Sequence, residues 1–132
     1  MANQFLSDPW FNEAQKISES FGKIELPEKL VGLILNLNVT EGPEGDKEIH
    51  FTEGRFLKGH HNDAKTTLTL PYDLCYKGML QNDTKVAMKG FLTRKIKVKG
   101  DMTQMLTLAS MKTEGDLEAL RVKTLEMTEP VA

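Results

Sequence analysis

"AKTTLTLPYDLCYKGMLQNDTKVAMKGFLTRKIKVKGDMTQMLTL", residues 64–108, decides the fold, because its hydrophobic period switches repeatedly between two and about 3.6. AKTTLTLP (64–71) alternates. Ala64, Thr66, Leu68 and Leu70 share one face, and its β-branched threonines suit a strand. Pro71 ends that strand, and 73–80 reads as helical, with Leu74 and the run 76–80 giving apolar contacts. NDTKVAMKGF offers a short helix capped near Asp83. RKIKVKG returns to period two, with Ile96 and Val98 inward and Lys95, Lys97 and Lys99 outward. DMTQMLTLASM (101–111) is a helix capped by Asp101, with Met102, Met105, Leu106 and Ala109 along one face.

Upstream, SDPWFNEAQKISESFG (7–22) predicts a first helix. Ser7 or Asp8 caps it, Pro9 suits its first turn and Gly22 follows its end. KLVGLILNLNVTEG (29–42) predicts a half-buried strand with Leu33, Leu35, Leu37 and Val39 on one side. EGPEGDKE is a turn cluster, and IHFTEGRFLKGHH holds two short β runs joined at Glu53-Gly54, a hairpin signal. Downstream, GDLEALRVKTLEM can form one more helix or turn, with Leu117, Leu120 and Leu125 apolar. Early strands joined by hairpins, and one late strand after a helical excursion, predict an α+β fold: helices on one face of a largely antiparallel sheet.

The 132 residues fit one domain, with residues 114–132 as a tail of unassigned packing. Hydrophobic content of 39% and charged content of 27% belong to a globular protein. A net charge of -2 argues against a dedicated nucleic-acid binder. The N-terminus lacks the basic and apolar regions of a secretory signal, and no apolar run approaches the roughly 20 residues that span a bilayer. A cytoplasmic location is the expectation. The single cysteine, Cys75, allows no internal disulfide and no cysteine-based zinc site.

Catalytic chemistry finds little support. His60 and His61 are adjacent, so on a strand they face opposite ways and cannot share a metal; with His50 they read as strand-end histidines. Cys75 lacks the context of a nucleophile, and no glycine loop has phosphate-cradling spacing. Asp8, Asp73, Asp83 and Asp101 stand where helix caps would be. No catalytic residue, metal or cofactor is therefore expected. Six of the seven methionines, Met79, Met88, Met102, Met105, Met111 and Met127, fall after residue 78. Flexible thioethers can fill a core or line an apolar cavity, and both readings stay open at this point.

The ordered series Thr67-Leu68-Thr69-Leu70, Gly78-Met79-Leu80, Ala87-Met88, Lys95-Ile96-Lys97-Val98 and Gly100-Asp101-Met102 resembles the signature half of the sterol carrier protein type-2 (sterol-binding) domain family. FLSDPWFNEA and FTEGRFLKGHHNDAKTTLTL match more loosely, in the manner of bacterial stand-alone members. The resemblance implies a five-stranded sheet, helices over one face and an apolar tunnel between them. It implies binding of fatty acid, fatty acyl-CoA, sterol or phospholipid without catalysis. The expected lining is Leu35 and Leu37 from the sheet side, with Leu74, Met79, Leu80, Met88, Phe91, Met102, Met105 and Leu106. The family carries glycine just before the Lys-Leu-Lys strand, whereas Arg94 stands here. A positive φ is costly for arginine, so a rebuilt turn is expected there.

The alternative is an accessory or dimerisation module serving a lipid- or polyketide-processing enzyme. The partner expected is a lipid or other apolar small molecule, with a transient membrane surface and a homodimer left open. Nucleic acid is not expected, since only Phe91 interrupts the basic run 89–100. That run reads as a solvated or edge-guarding row of lysines, with attraction of anionic headgroups as its functional reading.

Overall fold

The computed structural model describes residues 2–110 and 115–131. Its elements are α1 (Asp8–Phe21), a 3-10 turn (Glu28–Leu30), β1 (Ile34–Thr40), β2 (Lys47–Thr52), β3 (Arg55–Lys58), β4 (Thr66–Pro71), α2 (Tyr72–Leu74) running into a π-helical segment (Cys75–Leu80), α3 (Thr84–Leu92), β5 (Lys97–Gly100), α4 (Met102–Ser110) and α5 (Gly115–Glu126). The five strands lie in the order β3-β2-β1-β4-β5. Three neighbouring pairs are antiparallel, and β1 with β4 is parallel.

Local chemistry explains most boundaries. Ser7 caps α1, its hydroxyl accepting from the Trp10 amide at 3.3 Å, and Pro9 sits in the first turn. The Asp83 carboxylate accepts from the Val86 amide at 3.1 Å to start α3, and Asp101 accepts from Thr103 at 2.8 Å to start α4. Glu53 and Gly54 take φ of 53° and 77°, the left-handed pair that a two-residue hairpin requires, and Thr52 pairs with Arg55 across it.

Hairpins join β1 to β2 to β3, but not β3 to β4. The chain crosses the outer face of the sheet instead, so that β4 pairs in parallel with β1. Polar residues alternating with the core positions hold the crossing segment. The Asn36 side chain accepts from the His61 amide at 2.7 Å and donates to the His61 carbonyl at 3.2 Å. The His50 Nδ1 meets the Gly59 carbonyl at 2.8 Å. His60 and His61 therefore lie in this crossing loop rather than at a strand end, and His50 is buried in β2. Among the described residues no cluster of His, Cys, Asp or Glu could hold a metal ion.

Leu35, Leu37, Val39, Ile49, Phe51, Leu68 and Leu70 are buried on the opposite face, under the helices. Phe5 anchors an aromatic cluster, edge-on to Trp10 at 5.1 Å, Tyr76 at 5.7 Å and Phe56 at 6.0 Å. The tail joins the same core. Leu117, Leu120 and Thr124 are buried, Asn3 bridges to Thr128, and the Trp10 indole donates to the Thr128 hydroxyl at 2.8 Å.

The turn before β5 is not rebuilt. Arg94 takes the left-handed φ of 63° that the sequence comparison reserves for glycine. Its amide donates to the Phe91 carbonyl at 3.1 Å, and the Lys95 amide donates to the Gly90 carbonyl at 2.8 Å. This crossed pair of bonds closes the C-terminus of α3 as a Schellman motif.

Candidate ligand cavity

A cavity of about 360 Å³ opens beside the β3 edge of the helix-covered face. Four pieces of chain wall it. The first turns of α1 contribute Trp10, Phe11 and Ala14, with Gln15 and Ser18 toward the rim. The β2–β3 hairpin contributes Phe51, Gly54 and Phe56. The π-helical segment contributes Gly78, Met79 and Leu80, and α5 contributes Leu117, Leu120, Arg121 and Thr124. The volume lies toward the lower end of the roughly 300–1,000 Å³ of small-molecule sites.

The wall is chemically one-sided. Its charged members are Arg55, Lys58 and Arg121, and no Asp, Glu, His or Cys lines it among the described residues. Each cation is held from outside the wall. Lys58 pairs with Asp8 at 2.7 Å and stands 5.6 Å over the Phe11 ring. Arg55 pairs with Glu53 at 3.1 Å. Arg121 pairs with Glu118 and donates to the Leu80 carbonyl at 3.0 Å, tying α5 to the π-helical segment. The hydrogen bond from Lys58, and then its charge, hold the Asp8 carboxyl below its ordinary range. Cys75 lies outside the wall in the core, and burial pushes its thiol well above its ordinary value. That keeps it protonated and a poor nucleophile. Such a wall can enclose an apolar chain and meet an anionic or polar end at its rim. Among the described residues it presents no carboxylate, imidazole or thiol to act as base or nucleophile.

Of the residues named from sequence, Met79 and Leu80 line this cavity. Leu35 and Leu37 are fully buried in β1. Leu74, Met88 and Phe91 are half-buried against the same core. Met102 and Leu106 stand 47% and 46% exposed on α4, and the Met105 side chain lies outside the description. Trp10, Phe56, Leu117 and Leu120 also line the cavity, beyond the residues expected from sequence, and for Phe56, Leu117 and Leu120 the sequence carries a signal. Phe51 and Phe56 flank the hairpin turn, and Leu117, Leu120 and Thr124 recur at helical spacing.

The model of the SCP-2 sterol transfer family matches residues 11–113. No curated protein sequence matches the chain. Among solved structures, Sterol Carrier Protein 2 Like 2 from Aedes aegypti superposes with a TM-score of 0.51 at 18% identity, covering 79% of this chain and 97% of its own. The palmitated SCP2L2 of Aedes aegypti gives 0.50 at 19% identity, covering 79% and 92%. The sterol carrier protein domain 2 of Helicoverpa armigera gives 0.50 at 16%, covering 99% of each chain. At these identities the structural likeness shows the fold.

Proposed function

Because the chain belongs to the SCP-2 sterol transfer family, we propose that it binds an apolar lipid in the cavity beneath α5 and carries it chemically unchanged. The cavity wall is the observation that carries this reading. Trp10, Phe56, Met79, Leu80, Leu117 and Leu120 form an apolar surface, and the basic rim suits a polar or anionic end. Each methylene taken from water contributes about 0.8 kcal/mol, so an acyl chain needs no specific polar contact to bind usefully. The palmitated state of SCP2L2 from Aedes aegypti supports an acyl chain as one ligand class. A longer ligand would extend along the core toward the half-buried Leu74, Met88 and Phe91.

The test is direct. Native mass spectrometry of the purified protein should show lipid adducts, and an unlabelled fatty acid should displace a fluorescent one. Leu120→Trp fills the cavity from α5. Excluding two methylenes' worth of ligand should weaken binding about tenfold, with the circular dichroism spectrum unchanged. Absence of both adducts and displacement in the wild type would defeat the proposal.

A further inference from the structure

The inner end of the cavity is closed by a residue from the N-terminal segment. Phe5 is buried and stands directly behind two lining residues, its ring edge-on to Trp10 at 5.1 Å and to Phe56 at 6.0 Å. Its other side meets Tyr72 at 5.4 Å and Tyr76 at 5.7 Å. Trp10 and Phe56 also meet edge-on at 6.0 Å, and Phe51 meets Phe56 at 5.2 Å. Rings interlocked at these separations pack at the density of a core and leave no room for a ligand between them.

The segment is held there against a local preference. Gln4–Ser7 closes a turn, the Ser7 amide donating to the Gln4 carbonyl at 3.0 Å, and within it Leu6 takes a φ of 65°. Left-handed backbone is costly for leucine. Here it sends two successive side chains, Phe5 and Leu6, into the core, where both are buried. Bonds from three other parts of the chain fix it. The Tyr72 hydroxyl donates to the Phe5 carbonyl at 2.7 Å, and the Lys47 ammonium donates to the Leu6 carbonyl at 2.9 Å. The Asn3 amide donates to the Met127 carbonyl at 2.7 Å, and the Glu129 amide donates to the Asn3 carbonyl at 2.8 Å. Backbone strain persists where the surroundings over-determine it, and it gathers at ligand clamps. The segment lies ahead of residues 11–113, so the family match does not describe this wall.

The size of the space behind the rim sets what fits. Its volume of about 360 Å³ equals roughly twelve methylenes, each taking about the 30 Å³ of a water molecule. A sterol exceeds that, and a longer acyl chain reaches Leu74, Met88 and Phe91 only by parting packed side chains. Resting on the lipid-binding reading above, we propose that the cavity selects medium-chain acyl ligands, up to about the dodecanoyl length, and that Phe5 sets this limit. The acyl tail ends against Trp10 and Phe56 with Phe5 behind them, and the carboxylate end meets the rim that carries Arg55, Lys58 and Arg121.

Displacement of a fluorescent fatty acid from the full chain tests it, using the even- and odd-numbered saturated fatty acids from octanoate to palmitate. In the wild type, affinity should rise about fourfold with each methylene up to dodecanoate and level off beyond it. Phe5→Ala vacates space for about three methylenes, so palmitate should then bind at least about tenfold tighter than dodecanoate. Phe5→Leu keeps most of the packing and should move the plateau by about one methylene; it decides the matter if Phe5→Ala does not fold. Ile96→Ala truncates a buried side chain on the β5 side of the sheet. It should leave the plateau at dodecanoate, which separates the effect of Phe5 from general loosening of the core. Wild-type affinity that climbs steadily to palmitate would overturn the length limit. A plateau that both Phe5 variants leave in place would overturn the role of Phe5. Binding of no fatty acid at any length would defeat the lipid-carrying reading itself, and this inference with it.

Discussion

Tyr72 donates its hydroxyl hydrogen to the Phe5 carbonyl at 2.7 Å, and its ring packs 5.4 Å from Phe5. This one side chain fixes the N-terminal segment against the start of α2. Burial, reinforced by the acidic groups of Cys75, Glu44 and Glu129, pushes its phenol up to about 12 from an ordinary 10.0. The consequence for stability has a definite sign. A proton held more tightly by the folded chain stabilises it fully below the unfolded value near 10, and that contribution is lost as pH rises toward 12. Urea midpoints of the wild type should therefore fall across this alkaline window, and Tyr72→Phe should fall less steeply, since lysine titration is common to both. Parallel pH profiles would refute the assignment. Trp10 makes a comparable tie at the other end of the chain: its buried indole donor would go unmatched without the Thr128 hydroxyl.

The C-terminus of α3 shows how an element can keep its geometry after losing the residue that favours it. The Schellman bonds of Arg94 and Lys95 turn the chain, and Ile96 packs against Gly90, where an added Cβ would meet both Ile96 and Leu74. Left-handed backbone costs an ordinary L-residue roughly 1–2 kcal/mol, partly offset because glycine loses more chain entropy on folding. Arg94→Gly should thus raise stability by about 1 kcal/mol, read as a higher urea midpoint with an unchanged slope. A lower midpoint would mean that the arginine side chain contributes more than its backbone costs. This turn also marks what the sequence could and could not tell. The glycine position was visible in the resemblance, but the inference of a rebuilt turn failed because two backbone bonds and the Ile96 contact outweigh a local preference. The alternation of β1 and β4, the Glu53-Gly54 hairpin and the caps at Ser7, Asp83 and Asp101 were legible because each depends on neighbours in sequence. The parallel pairing of β4 was not, since it rests on the Asn36–His61 bonds across the outer face. The π-helical Cys75–Leu80 likewise read only as helix, because its wider turn leaves no distinct apolar period.

At the scale of the molecule, the cavity is assembled from segments that no local pattern connects. The family match ends at residue 113, yet α5 forms one wall and reaches the π-helical segment through Arg121. The resemblance therefore pointed to Met79 and Leu80, but no local pattern could show that Leu117 and Leu120 line the same cavity. The hairpin meets α5 closely at one point. Gly54 sits at φ 77°, and a Cβ there would run into the Leu117 side chain. Gly54→Ala should cost about 1–3 kcal/mol through overpacking, in addition to its left-handed strain. It should also displace α5 and weaken lipid retention. Leu117→Ala removes the obstructing side chain at the expense of buried apolar area. If the two segments act as one wall, Gly54→Ala should be less damaging in the Leu117→Ala background than alone, by about 1 kcal/mol. Urea denaturation of the four proteins measures that coupling, and fatty-acid displacement on the same set shows whether the roof moves with it. Additive losses, with lipid affinity unaffected by Gly54→Ala, would show that hairpin and helix are independent and that α5 is not a wall of the binding site.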